Sequence, residues 1–329
     1  MKHDLHHIKV FVSRDLPEIA VESLRAEGFC VTAWPHEWPM TQPELIEEAK
    51  KVNALLCTVS SKIDKVLLNE CKHLEIISQF GAGYDNIDIP EATRLGIPVG
   101  NTPGATSNAT ADIAFSLMLA VSRKLFFNHK IIERGEWGYF KPKGNLGFEL
   151  KNKTLGIFGL GSIGMEVAKR CQGAYDMPVI YHNRGHNAEA EKLFGARRVS
   201  FDELLAQSDV LSVHSVLSPE TKGIFNSSVF SKMKRTAIFI NTSRGLVHNE
   251  EDLIASLNAG EIWGAGLDVT NPEPMKRDNP LLSMENVAIL PHVGSATVEA
   301  RNEMSRLAAL NIIEFYKTGR FTNHVNREG

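Results

Sequence analysis

Three side chains of complementary chemistry stand just past short apolar runs: Arg244 in Ile240-Asn-Thr-Ser-Arg-Gly245, Glu273 in Leu267-Asp-Val-Thr-Asn-Pro-Glu-Pro274 and His292 in Leu290-Pro-His-Val-Gly-Ser-Ala-Thr297. A guanidinium binds anions, and an imidazole exchanges protons near neutral pH, where a carboxylate supports its charged form. Taken one at a time, Arg244 and Glu273 fit surface ion pairs and His292 a satisfied loop histidine. Taken together, the three could act as one site.

Two glycine-rich stretches carry a different chemistry. Gly159, Gly161 and Gly164 make G-x-G-x-x-G between the apolar run Leu155–Phe158 and a stretch of helix formers starting near Ser162. In a dinucleotide site the first glycine permits a tight turn. The second lets a pyrophosphate approach the backbone, and the third lets the helix pack closely on its strand. The helix would aim its free N–H groups and positive dipole end at the phosphates. The pattern alone is weak evidence, but a second apolar strand at residues 178–182 follows at the distance a βαβ unit needs. The other stretch is Gln79-Phe-Gly-Ala-Gly-Tyr-Asp-Asn-Ile-Asp88. Its adjacent N–H groups could cradle a carboxylate, or it could be a plain βα turn.

The elements that must position these groups follow from apolar periodicity. Strands are expected at residues 8–12, 29–33, 54–58, 74–78 and 97–99. Helices are expected at 16–27, closed by Gly28, at 43–51 and around Leu67 and Leu68. Residues 101–106 read as a crossover leaving this first domain. Residues 109–123 predict a strongly apolar helix, with Ile113, Leu117, Met118 and Val121, buried between domains or subunits. Residues 124–150 read as a polar and aromatic arm outside the sheet, with Trp137, Tyr139, Phe140 and Pro142, suited to wrapping a second copy. Beyond the glycine loop the alternation resumes at 179–181, 201–206, 210–213, 237–241, the helix 250–258, 264–269 and 287–290. A final helix at 297–317 returns to cap the first domain. Such alternation means parallel, doubly wound sheets, which bind ligands past the carboxyl ends of their strands.

The chain has 329 residues, 43% hydrophobic and 23% charged, which is ordinary for a globular protein of about two domains. A net charge of -3 points to neither nucleic acid nor an anionic membrane as partner. Cys30, Cys57, Cys71 and Cys171 include no C-x-x-C pair, which argues against a disulfide framework or zinc site and for a reducing cytoplasm. No signal peptide and no membrane span are expected. His3, His6 and His7 read as part of a frayed polar terminus rather than a metal site.

In their order and spacing these motifs resemble the D-isomer-specific 2-hydroxyacid dehydrogenase family, by motif from Gln79 to Thr297 and by layout at both ends. The resemblance implies an α/β fold of two doubly wound parallel-sheet domains. A Rossmann nucleotide-binding domain, residues 104–294, would be inserted in a flavodoxin-like substrate domain, residues 1–103 and 295–329. It implies NAD(P)H-dependent reduction of a small 2-keto acid to the D-2-hydroxy acid. Arg244 would hold the carboxylate and keto oxygen with its planar fork. His292 would give a proton to the alkoxide left by hydride addition, and Glu273 would orient the imidazole and favour its charged form. The substrate carboxylate would also meet the Ala82 and Gly83 N–H groups. The cofactor would lie on Gly159, Gly161, Ser162, Ile163, Gly164 and Thr242, with Asp268 near the nicotinamide carboxamide and Thr110 in reach. His214 receives no proton-transfer role.

NAD-specific members carry an acid after the second nucleotide-domain strand, where this chain has His182-Asn-Arg-Gly-His186. Asn183 and Arg184 would receive a 2′-phosphate, so NADP is expected ahead of NAD. The pattern is similar to that of glyoxylate and hydroxypyruvate reductases and of 2-ketogluconate reductases. Family members reach an aromatic from the arm into a neighbouring subunit's site, so a homodimer is expected, with Phe140 where tryptophan would stand. Cofactor-sensing corepressors of the same fold retain a similar catalytic set and form the alternative reading. Formate dehydrogenases place glutamine where Glu273 stands.

Overall fold

Apolar residues cover both faces of the interior strands, and that pattern is satisfied by parallel sheets with helices on each side. The computed structural model describes residues 5–327. The chain divides into two units: one runs to Thr106 and resumes at Ala296, and the other is Ser107–Ser295.

The first unit contains β1 (Lys9–Val12), α1 (Ile19–Ala26), β2 (Cys30–Ala33), α2 (Gln42–Ala49), β3 (Ala54–Thr58), α3 (Lys65–Glu70), β4 (Ile76–Phe80), α4 (Ile89–Arg94) and β5 (Val99–Gly100). Its strands are parallel in the order β2-β1-β3-β4-β5, the flavodoxin-like arrangement. Side chains alternate across the sheet: Val10, Val12, Leu56 and Ile76 enter one apolar cluster, while Phe11, Leu55, Cys57 and Ile77 enter the other. Thr41 and Glu44 close a capping box on α2, and Asp64 and Asp88 cap α3 and α4. The Asp88 cap marks α4, which apolar periodicity does not reveal.

The second unit contains α5 (Ser107–Ser122), α6 (Leu125–Glu133), β6 (Leu155–Phe158), α7 (Ser162–Tyr175), β7 (Val179–His182), α8 (Ala188–Phe194), β8 (Arg197–Arg198), α9 (Phe201–Gln207), β9 (Val210–Val213), α10 (Ser227–Phe230), β10 (Ile238–Asn241), α11 (Glu250–Asn258), β11 (Gly264–Leu267) and β12 (Val287–Ile289). Its parallel strands run β12-β11-β10-β9-β6-β7-β8. Counted from β6, this is the Rossmann order with one further strand. The last helix, α12 (Val298–Thr318), packs Ala308 and Ile312 into the core of the first unit.

The apolar helix α5 finds burial inside its own unit, against α7 and over β10, β11 and β12. Glycines in β11 make the groove it sinks into: a Cβ on Gly264 would stand 2.7 Å from Val121 Cγ1, and one on Gly266 2.9 Å from Leu117 Cβ. The arm begins with α6. Beyond α6, Trp137, Tyr139 and Phe140 are 73%, 73% and 84% exposed.

Among the described residues, no helix is long and apolar enough to cross a membrane. Nor does any group of three His, Cys, Asp or Glu side chains among them suit a metal ion; His3 lies outside these residues. The four cysteines are unpaired, with Cys30 exposed and the others buried.

Candidate active site

Arg244, Glu273 and His292 sit in the loops that follow β10, β11 and β12. Asn241, the buried last residue of β10, shapes the first loop. Its Oδ1 accepts from Ser243 N and Oγ at 2.9 Å each, and its Nδ2 donates to Arg244 O at 2.9 Å. A Cβ on the next residue, Gly245, would collide with the Thr270 carbonyl, so the loop after β10 lies directly on the loop carrying Glu273. Glu250 at the start of α11 holds that second loop, accepting from Asn271 N at 2.9 Å and Asn279 Nδ2 at 2.6 Å.

Asp268 organises the third loop. Its carbonyl accepts from His292 N at 2.9 Å, and its carboxylate accepts from Val293 N at 2.8 Å and Gly294 N at 2.7 Å. Burial pushes the Asp268 carboxyl up, against the opposing pull of those two N–H groups. Thr110 of α5 donates its hydroxyl to Gly294 O at 3.1 Å. The expected cofactor contacts Asp268 and Thr110 thus already hold the histidine loop. His292 adopts φ 54°, in the left-handed region.

His292 Nδ1 lies 2.5 Å from Glu273 Oε1. Burial acts to raise the Glu273 carboxyl, but the His292 hydrogen bond and charge, the Thr270 backbone and the Arg244 charge together hold it below the usual range. The carboxylate is therefore ionised at neutral pH and engages Nδ1, which leaves Nε2 for another molecule. Glu273 is thus within electrostatic reach of both other groups proposed from sequence, His292 and Arg244.

The glycine loop divides its steric demands clearly. Gly159 has φ 92°, and a Cβ there would stand 2.7 Å from Ser215 N. On Gly164 it would stand 3.2 Å from both Gly159 O and Ile157 Cγ2, whereas on Gly161 it would meet open space. No side chain caps α7. The Ser162, Ile163 and Gly164 N–H groups thus lack partners within the helix and stand at its positive end. Beside this loop the Ser215 hydroxyl is buried without a partner among the described residues. This donor set, with its open face at Gly161, fits a dinucleotide pyrophosphate.

At the end of β7, Asn183 is bonded twice to the loop: Oδ1 accepts from Leu160 N at 2.7 Å, and Nδ2 donates to Leu160 O at 3.1 Å. Arg184 is exposed beside it. Arg198, not among the residues expected from sequence, donates Nη2 to Asn183 O at 3.0 Å and Arg184 O at 2.8 Å. The signal was a basic pair on a two-residue edge strand, and the Tyr181–Arg198 register brings it to the end of β7. His214 is pushed down to about 3 by burial, so it is neutral. Its ring nitrogens lie 2.8 Å from Ser212 Oγ and 3.3 Å from Thr242 Oγ1, and it supports the buried Thr242. In the first unit, Ala82 and Gly83 are half-buried in the turn after β4, and their N–H groups donate to no other described residue.

Residues 115–294 match the family model of the D-isomer specific 2-hydroxyacid dehydrogenase NAD binding domain. The chain is 42% identical over 324 residues to a glyoxylate reductase of Thermococcus litoralis, covering 97% of each. Its structure is similar to that of a glyoxylate reductase from Paecilomyes thermophila, with a TM-score of 0.87, 34% identity and coverage of 97% of this chain and 98% of that one. It is also similar to an NADPH-dependent glyoxylate/hydroxypyruvate reductase from Sinorhizobium meliloti in complex with NADP and malonate, with a TM-score of 0.84, 30% identity and coverage of 97% and 96%. The chain thus belongs to the D-isomer-specific 2-hydroxyacid dehydrogenase family and is an NAD(P)-dependent oxidoreductase.

Proposed function

We propose that this enzyme reduces small 2-keto acids, glyoxylate and hydroxypyruvate foremost and 2-ketogluconate within its class, to D-2-hydroxy acids, with NADPH preferred over NADH. The observation that carries the reading is the 2.5 Å contact of His292 Nδ1 with Glu273, whose carboxyl also feels the charge of Arg244. The reduced nicotinamide supplies a hydride when bound. His292 Nε2 then gives its proton to the new alkoxide, while Glu273 steadies the imidazolium. Arg244 addresses the substrate carboxylate and keto oxygen together.

The unit Ser107–Ser295 is assigned the nucleotide, and the other unit the substrate carboxylate, through the Ala82 and Gly83 N–H groups. Asn183 acts through the loop shape it imposes on Leu160, so direct contact with a 2′-phosphate falls to Arg184. The two carbonyl bonds from Arg198 steady that segment and add a second guanidinium nearby. Thr242, held by His214, is assigned to the cofactor, while Asp268 and Thr110 act through the His292 loop. A homodimer is part of the proposal, supported by the exposed aromatics of the arm. A reducing cytoplasm suits the unpaired cysteines.

A panel of 2-keto acids assayed with each reduced cofactor tests the reading. Turnover of glyoxylate or hydroxypyruvate, faster with NADPH, is the expected result. Tight cofactor binding without turnover of any keto acid would overturn it in favour of a cofactor-sensing binding protein.

A further inference from the structure

Asn101 follows β5 directly and faces the turn that follows β4. All three carbonyls of that turn are bonded from behind. Gly81 O accepts from Thr102 N at 3.0 Å, Ala82 O from Asn101 Nδ2 at 2.7 Å, and Gly83 O from Gln79 Nε2 at 3.2 Å. A trans peptide plane directs its N–H opposite its C=O. Holding the Gly81 and Ala82 carbonyls therefore fixes the Ala82 and Gly83 N–H groups in the opposite sense, and these are the groups without a partner among the described residues.

Asn101 is itself held in place. Asn311 of α12, fully buried, donates Nδ2 to Asn101 O at 2.9 Å and accepts from Asn323 Nδ2 at 3.2 Å. Space there is tight, since a Cβ on Gly100 would stand 2.8 Å from Asn311 Nδ2. A neutral amide suits the task. It donates to the Ala82 carbonyl without adding charge near a bound anion, whereas an aspartate of the same shape would repel both.

We infer that Asn101 is a positioning residue of the carboxylate subsite: its side-chain amide orients the Ala82–Gly83 peptide so that the Gly83 N–H is presented to the substrate carboxylate. The inference rests on the proposed reading of this turn as part of a 2-keto acid site.

Asn101→Ala and Asn101→Asp in the full-length enzyme test it, using NADPH with glyoxylate and with methylglyoxal, an aldehyde of related shape that lacks the carboxylate. Asn101→Ala should raise the KM for glyoxylate about threefold to tenfold, the effect of losing one orienting hydrogen bond. Asn101→Asp should raise it further. In both variants methylglyoxal kinetics and the Kd for NADPH, followed by nucleotide fluorescence, should change by less than about twofold. The isosteric Asn101→Asp carries the test if the alanine variant does not fold. Equal losses with both substrates, or an unchanged KM for glyoxylate, would overturn the positioning role. Failure of the wild-type enzyme to reduce glyoxylate would instead overturn the functional reading and this inference with it, and shows before any substitution is made.

Discussion

Two glycine turns, one after β4 and one after β6, leave successive backbone N–H groups without partners among the described residues, yet they are built by different means. In the turn after β6 the free donors are the unsatisfied first turn of the 14-residue helix α7, so the chain beside the glycines makes the site. In the turn after β4 the donors are aimed by Thr102 and Asn101, which hold the Gly81 and Ala82 carbonyls from behind. A helix terminus spreads positive potential over several N–H groups, which suits a pyrophosphate with many oxygens. A turn backed by amides presents a few fixed donors, which suits one small carboxylate.

The largest expected effect separates both anion sites from the chemistry. His292→Ala leaves both turns intact, so kcat for glyoxylate reduction should fall by about 10²–10⁴ while the Kd for NADPH holds. Steady-state kinetics with fluorescence titration checks it, and comparable loss of cofactor binding would blur the distinction. A smaller effect probes how far the helix-terminus site extends. Arg184→Ala should raise the KM for NADPH about tenfold or more, as expected for a lost charge-assisted bond to phosphate, with the KM for NADH nearly unchanged. Equal loss with both cofactors would remove Arg184 from the 2′-phosphate.

The smallest effect asks whether support from behind also operates at the histidine, since Glu273 backs His292 as Asn101 backs the Gly83 peptide. The Glu273 carboxyl is held below its usual range, so it is ionised throughout the neutral region. Glu273→Gln removes that charge. In the proposed mechanism reduction draws its proton from the imidazole, so the alkaline limb of its pH–rate profile should move to lower pH. An unchanged profile, with chemistry shown to limit the rate, would mean that Glu273 and His292 are not coupled.

Much of the second unit could be read directly. Leu155–Phe158, the glycine spacing and the helix formers after Ser162 lie within some twenty residues, and local sterics link them. The helix α5 was legible as an element but not in its placement, because its burial depends on Gly264 and Gly266, about 150 residues away, having no side chains. Arg198 was missed for the same kind of reason: two exposed arginines on a short edge strand gain meaning only when pairing sets them against β7.

The residue types alone sufficed to state which chemistry was on offer: an imidazole with a carboxylate, a guanidinium, and a glycine loop that a pyrophosphate can approach. These are properties of single side chains and short spacings, and folding does not alter them. Folding settled which polar groups were already engaged. Asn183 and Leu160, Asp268 and the Val293–Gly294 segment, and Asn101 and Ala82 are partners brought together by strand register and loop packing. A hydrogen bond between residues distant in the chain forms only once the sheet has set their separation and angle, so composition and local pattern carry no trace of it.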